Sequence, residues 1–309
     1  MRGQILVLVV IVQLALSACA VGPERQALRA AASPVELVQV PFYPQDEYQC
    51  GPAALATVLV HSGIDVTPQQ LVSRVYVPEL QGSLQAEMLA ATRGQGRVPY
   101  VLPKTLAPML AELRDGRPVL LLQNLSVDRW PVWHYAVLVG FDPAAEKFLL
   151  RSGLTRREES RAVRFLASWD RGGRWSMVAV KPGEPPVSAD LLGWLRAVSP
   201  FESTGNLSLA AEGYRAAVAR WPEEAMAWTA LGNVHYLQRD LAAAAAAYRH
   251  ALELSPGLHA ACNNLAQTLS ELTAAGEPPG DGAWLARCAT AQMEAAKKHM
   301  LKSPERARE

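Results

Sequence analysis

Two hydrophobic patterns divide the chain. Between Val35 and Lys181, apolar residues come in short runs separated by turn residues. Beyond Lys181-Pro182-Gly183-Glu184-Pro185-Pro186 they recur at helical spacing in an alanine-rich background. The first stretch predicts helices at 51–61, from 68 behind Thr67 as N-cap and Pro68 at the first helical position, at 83–93 and at 106–114. It predicts strands at 35–41, 118–123, 134–140, 148–150 and 175–180. Helices first and strands later is an α+β order. The domain boundaries that follow are 35–181 for this part, 182–190 for a linker and 191–300 for a helical part.

The helical part repeats itself every 34 residues: Trp194 returns as Trp228, Ala210 as Ala244, Tyr214 as Tyr248, Ala217 as Ala251 and Pro222 as Pro256. Leu231-Gly232 follows the second Trp. Small residues let antiparallel helices approach, aromatic residues fill the space between them, and Pro ends each pair. These positions match the tetratricopeptide pattern. A third unit is expected from Leu258, with Cys262, Leu265 and Leu269 inward, resuming at Trp284. About three repeats are expected in all, with 301–309 a disordered tail.

The N-terminus predicts the compartment. Arg2 precedes an apolar run from Ile5 to Leu16, shorter than the roughly 20 residues that a membrane span needs. The run ends in Leu16-Ser17-Ala18-Cys19, which resembles a lipobox. The resemblance implies cleavage after residue 18, acylation of Cys19 and a lipidated tether over 19–34. Ala rather than Asp at position 20 implies an outer-membrane lipoprotein facing the periplasm.

The remaining cysteines are Cys50, Cys262 and Cys288. The last two either pair in an oxidising compartment or are simply buried. Neither the cysteines nor the six histidines have zinc-ligand spacing, so no metal or other cofactor is expected. With a net charge of +1 and no basic tract, no nucleic-acid partner is expected.

The chemistry concentrates at Gln45-x4-Cys50-Gly51-Pro52-Ala53-Ala54-Leu55. Cys50 stands where irregular chain turns into an apolar helix, and the helix N-terminus favours thiolate over thiol. Gly51 permits close backbone approach by a substrate, and Gln45 can donate a side-chain amide hydrogen bond to an oxyanion. The best proton partner for Cys50 is His134, at the head of the most apolar strand, with Trp130, Trp133 and Tyr135 around the cleft. His61 ends its helix and complements the C-terminal dipole.

That segment, followed 84 residues after Cys50 by His134-Tyr135-Ala136-Val137-Leu138-Val139-Gly140-Phe141-Asp142, resembles the bacteriocin-processing cysteine peptidases of the double-glycine type, and most of all their stand-alone relatives. The resemblance covers 35–181. It implies a papain-like fold with Cys50 as nucleophile, His134 as base and acid, and Gln45 as oxyanion donor. The family's glutamine stands six residues before the Cys, where this chain has Pro44, and Gln49 is the nearby substitute. The family's acid, on the strand after the His, is missing; Ser152 or Asp142 is the candidate to orient His134.

The expected protein is therefore an α+β papain-like cysteine peptidase domain followed by an all-α tetratricopeptide repeat domain. It would act on a peptide or protein, hold a protein partner through its repeats and meet the membrane through lipid at Cys19. The alternative is a peptidase-shaped scaffold without turnover, which the missing acid supports.

Overall fold

The computed structural model describes residues 22–45 and 49–275, together with 283, 284, 286–288, 290 and 293. Cys19, its lipobox and the tail 301–309 lie outside the described residues. The chain forms two compact units, Met1–Gln95 with Val101–Ala179 and Pro186–Ser188, and Gly96–Tyr100 with Val180–Pro185 and Ala189–Glu309.

The elements of the N-terminal part are α1 (Pro23–Arg29), β1 (Val35–Glu36), α2 (Cys50–His61), α3 (Pro68–Val75), β2 (Tyr76–Val77), β3 (Gly82–Ser83), α4 (Gln85–Gly94) and β4 (Val98–Val101). They continue with α5 (Leu106–Arg114), β5 (Val119–Asn124), β6 (Trp133–Asp142), β7 (Lys147–Ser152), β8 (Thr155–Arg161), α6 (Ala162–Arg171) and β9 (Ser176–Val180). Seven strands form one sheet in the order β4-β9-β5-β6-β7-β8, with β1 pairing antiparallel to β6, while β2 and β3 form a separate hairpin.

Helix α2 is apolar on all sides because it is a core helix: Gly51 through Leu59 are all buried. Leu55, Val58 and Leu59 pack with Leu120, Leu122, Val137 and Val139 of β5 and β6. The predicted Thr67 cap forms a full capping box with Gln70. His61 does more than complement its own helix, because Nε2 hydrogen-bonds the Gly116 carbonyl at 2.9 Å.

Several expectations change. The strand at 35–41 shortens to two residues, β2, β3 and β4 stand among the early helices, and α6 stands between the last two strands. The stretch expected to be a tether is partly helix α1, docked on its own domain. Leu28 is fully buried. Glu24 accepts the Leu106 N–H at 2.7 Å through Oε2 and the Arg174 guanidinium at 2.7 Å through Oε1. Arg25 and Arg29 both pair with Glu146. These partners lie far along the chain, so nothing in the local pattern announces them. The expected linker is pinned too: Gly183 N–H donates to Glu212 at 3.1 Å, and the N–H and hydroxyl of Ser188 donate to Glu112 at 2.8 and 2.6 Å.

The second unit carries α7 (Leu191–Val198), α8 (Pro200–Ser203), α9 (Leu207–Arg220), α10 (Ala225–Leu237), α11 (Leu241–Leu254) and α12 (His259–Ala274). Ala210, Tyr214, Ala217, Ala244, Tyr248 and Ala251 of the 34-residue pattern are all buried. Gly232 is required by close approach, since a Cβ there would lie 2.5 Å from the Tyr248 ring. Trp194 and Trp228 diverge: Trp194 is fully buried with Nε1 donating to Gly213 O, whereas Trp228 is half-buried with Nε1 donating to Pro222 O. Cys262 and Cys288 form a disulfide.

Leu28→Ala should cost roughly 2–5 kcal/mol in urea unfolding, the range of a buried leucine truncation. A change within about 0.5 kcal/mol, as for an exposed site, would return α1 to the status of a tether.

Candidate active site

Helix α2 begins at Cys50, and Gln49 is its N-cap residue. The thiol is therefore set beside the unpaired N–H groups of the first turn. Gly51 is explained by a neighbour other than a substrate: a Cβ there would lie 2.1 Å from Ser83 Oγ. The hairpin β2–β3 thus closes over the first turn of α2, and Tyr135 fastens it by donating from its hydroxyl to Ser83 O at 3.2 Å. Among the described residues, Ser83 Oγ is closed off from solvent and has no hydrogen-bond partner.

His134 sits at the head of β6, where Gln123 of β5 is its register partner. Its Nε2 lies 3.0 Å from Ser152 Oγ at the end of β7. That bond leaves Nδ1 as the ring nitrogen that can take a proton from a thiol. Gln45 is brought in from the loop before α2, with its backbone N–H donating to Gly153 O at 3.2 Å. Arg151 braces the same loop by donating to the carbonyls of Val38 and Val40. Gln45, Cys50, Ser83, Trp133, His134 and Tyr135 all line one cleft of about 990 Å³.

The two candidates to orient His134 separate cleanly. Ser152 touches the ring. Asp142 lies at the opposite end of the same ten-residue strand, and its carboxylate accepts the Ala145 N–H at 2.9 Å in the β6–β7 turn. At about 3.3 Å per residue, eight residues of strand put it roughly 26 Å from His134. Asp142 therefore caps a turn and does not orient the histidine.

Burial outweighs the helix terminus in setting the charge of the pair. Desolvation pushes the Cys50 thiol up from its ordinary value, against the backbone N–H groups of Tyr135, Gly51 and Cys50 itself, which pull it down. Desolvation also pulls His134 down, and the Glu158 carboxylate opposes this without reversing it. Both shifts favour the neutral thiol and the neutral imidazole, contrary to the thiolate that the helix terminus alone predicts. Ser83 and Glu158 were not legible as site residues, since neither belongs to a motif. The signal for a close neighbour such as Ser83 was the glycine after Cys50.

Residues 37–177 match the family model described as Peptidase_C39 like family, and residues 201–259 match a tetratricopeptide repeat model. The chain carries a C39-like peptidase domain followed by tetratricopeptide repeats. No curated protein matches the chain. A solved structure described as a C39-like peptidase from Bacillus anthracis is 18% identical, covers 48% of this chain and 98% of its own, and has a TM-score of 0.41. The double glycine motif protease from an AMS/PCAT transporter, in complex with a leader peptide, is 20% identical with a TM-score of 0.35, over 48% of this chain and 96% of its own. The peptidase domain of Streptococcus ComA, from a bi-functional ABC transporter, is 18% identical with a TM-score of 0.38, over 46% and 99%.

In the C39-like domain a neutral resting pair has a pH signature. Because the Cys50 pKa is raised above 9.0, its thiolate accumulates only on the alkaline side of that value. Carbamidomethylation of Cys50 should climb through the alkaline range without a reactive plateau between pH 5 and pH 8. A plateau there would mean a preformed thiolate–imidazolium pair.

Proposed function

We propose that the protein is a lipid-anchored cysteine peptidase of the bacterial cell envelope, placed at the outer membrane and facing the periplasm. The observation that carries the reading is a single cleft holding Cys50, His134 and Gln45, with Ser152 on Nε2 of the imidazole.

On substrate binding, His134 Nδ1 accepts the Cys50 proton as sulfur attacks the peptide carbonyl. The side-chain amide of Gln45 and the Cys50 N–H donate to the developing oxyanion. His134 then protonates the leaving amine, which gives a thioester on Cys50. Water attacks the thioester with His134 as base, and the second product leaves as a carboxylic acid. For Nδ1 to act as base, the ring proton must sit on Nε2, where Ser152 Oγ accepts it. A hydroxyl, which can donate as well as accept, orients the ring without selecting the tautomer as a carboxylate would, and it stabilises the imidazolium less.

The lipobox at Cys19 supports the anchor. The Cys262–Cys288 disulfide supports an oxidising compartment outside the cytosol. The repeats supply a surface for a protein partner, and the peptidase cleft takes a peptide. One observation favours the second reading, a scaffold without turnover: burial holds both Cys50 and His134 in their neutral, less reactive forms.

A peptidyl acyloxymethyl ketone separates the two. It should alkylate Cys50, with no adduct in Cys50→Ala or His134→Ala. Ser152→Ala should slow alkylation about tenfold, the equivalent of one lost hydrogen bond of roughly 1.4 kcal/mol. Asp142→Ala should leave the rate unchanged. An unlabelled wild type would favour the scaffold, and equal effects at positions 142 and 152 would remove Ser152 from the mechanism.

A further inference from the structure

The loop between β5 and β6 is a short flap, tied by Leu125 N–H to Val132 O and by Trp130 N–H to Val127 O. Asn124 anchors its base, with Oδ1 accepting the N–H groups of Ser126 and Val132. The flap carries an unusual amount of exposed apolar surface: Leu125, Val127, Trp130, Val132 and Trp133 are all about half exposed or more, Trp130 to 67%. Val132 and Trp133 line the cleft, but Leu125, Val127 and Trp130 do not, so a peptide in the cleft would not cover them. The Arg129 guanidinium stands 5.0 Å over the Trp130 ring, and Asp128 beside it offsets its charge.

The position of this patch follows from the turn after α6. Arg171 donates to Asn124 O at 3.1 Å, at the base of the flap. Three residues on, Arg174 holds Glu24 at the start of α1, and Trp175 O accepts Leu122 N–H of β5. The beginning of α1 and the base of the flap are therefore fastened to the same turn, at the same end of the domain. Only Ala20, Val21 and Gly22 separate Cys19 from Pro23. That stretch of chain spans at most roughly 14 Å.

We propose that the flap is a membrane-contact element, with Leu125, Val127 and Trp130 seated in the lipid headgroup layer beside the acyl anchor. The inference rests on the lipid-anchor reading above. A docked α1 turns a long tether into a short leash, which holds this end of the domain at the bilayer. Tryptophan is enriched at that interface because its ring is apolar and its N–H polar, and an arginine can reach back to the headgroups. With the flap seated, the cleft that opens through Val132 and Trp133 faces substrates lying on or emerging from the membrane.

The test places the mature full-length chain on phosphatidylethanolamine–phosphatidylglycerol vesicles containing brominated acyl chains. The chain is held by its own lipid or, separately, by a hexahistidine at residue 19 on a nickel-chelating lipid. Tryptophan emission should be quenched in both formats, and Trp130→Phe should remove about half of the quenching; the paired variant Leu125→Ser with Val127→Ser should reduce it further. Quenching that is the same in wild type and Trp130→Phe overturns the proposal. So does a flap that becomes shielded from acrylamide with rising protein concentration in the absence of vesicles, which would mean a second copy covers it. An unacylated Cys19, read by mass spectrometry, would sink the anchor alone, since the chelating-lipid format still reports on the flap.

Discussion

His134 is a half-buried imidazole at the head of a strand, and a hydrogen bond between Nε2 and the Ser152 hydroxyl orients its ring. The geometry of the cleft depends on that contact. It occupies Nε2 and so leaves Nδ1 as the nitrogen available to a proton, and it ties β6 to the end of β7, whose turn at Gly153 in turn holds Gln45. A carboxylate at this place would bind the ring more strongly as it became charged. A hydroxyl gives orientation with little charge stabilisation, so in the proposed reaction the proton would move during attack and not before it. The burial of Cys50 points the same way.

The cleft was legible in outline because its two poles stand on elements with strong local signals. Helix α2 is an unbroken apolar run behind Cys50, and β6 is the longest apolar strand. Capping at Thr67 and the helix over Leu106–Arg114 follow local rules and appear where those rules place them. What failed to show was whatever depends on distant partners. Strand β8, Thr-Arg-Arg-Glu-Glu-Ser-Arg, is a largely exposed edge with no apolar alternation, and its pairing with β7 is invisible from either segment alone. Charged residues are a common way to protect such an edge.

Helix α1 is the sharper case. Its composition suggested loose chain, yet Leu28 is buried and Glu24, Arg25 and Arg29 find partners about 80 to 150 residues away. Exposed ion pairs of this kind contribute little individually. The buried leucine and the Leu106 N–H satisfied by Glu24 fix the helix in place. The site shows the same division: Cys50 and His134 were visible in the motif, whereas Ser83 and the choice of Ser152 over Asp142 needed the fold. Eight residues along an extended strand are a long way in space.

The central claim is that this cleft hydrolyses peptide bonds through Cys50 without an orienting acid. Its most direct test needs no known substrate: envelope proteins incubated with the protein in water enriched in oxygen-18, followed by mass spectrometry of new C-termini. Turnover predicts termini carrying the heavy oxygen with the wild type and none with Cys50→Ser. Identical C-termini from the two proteins would contradict it.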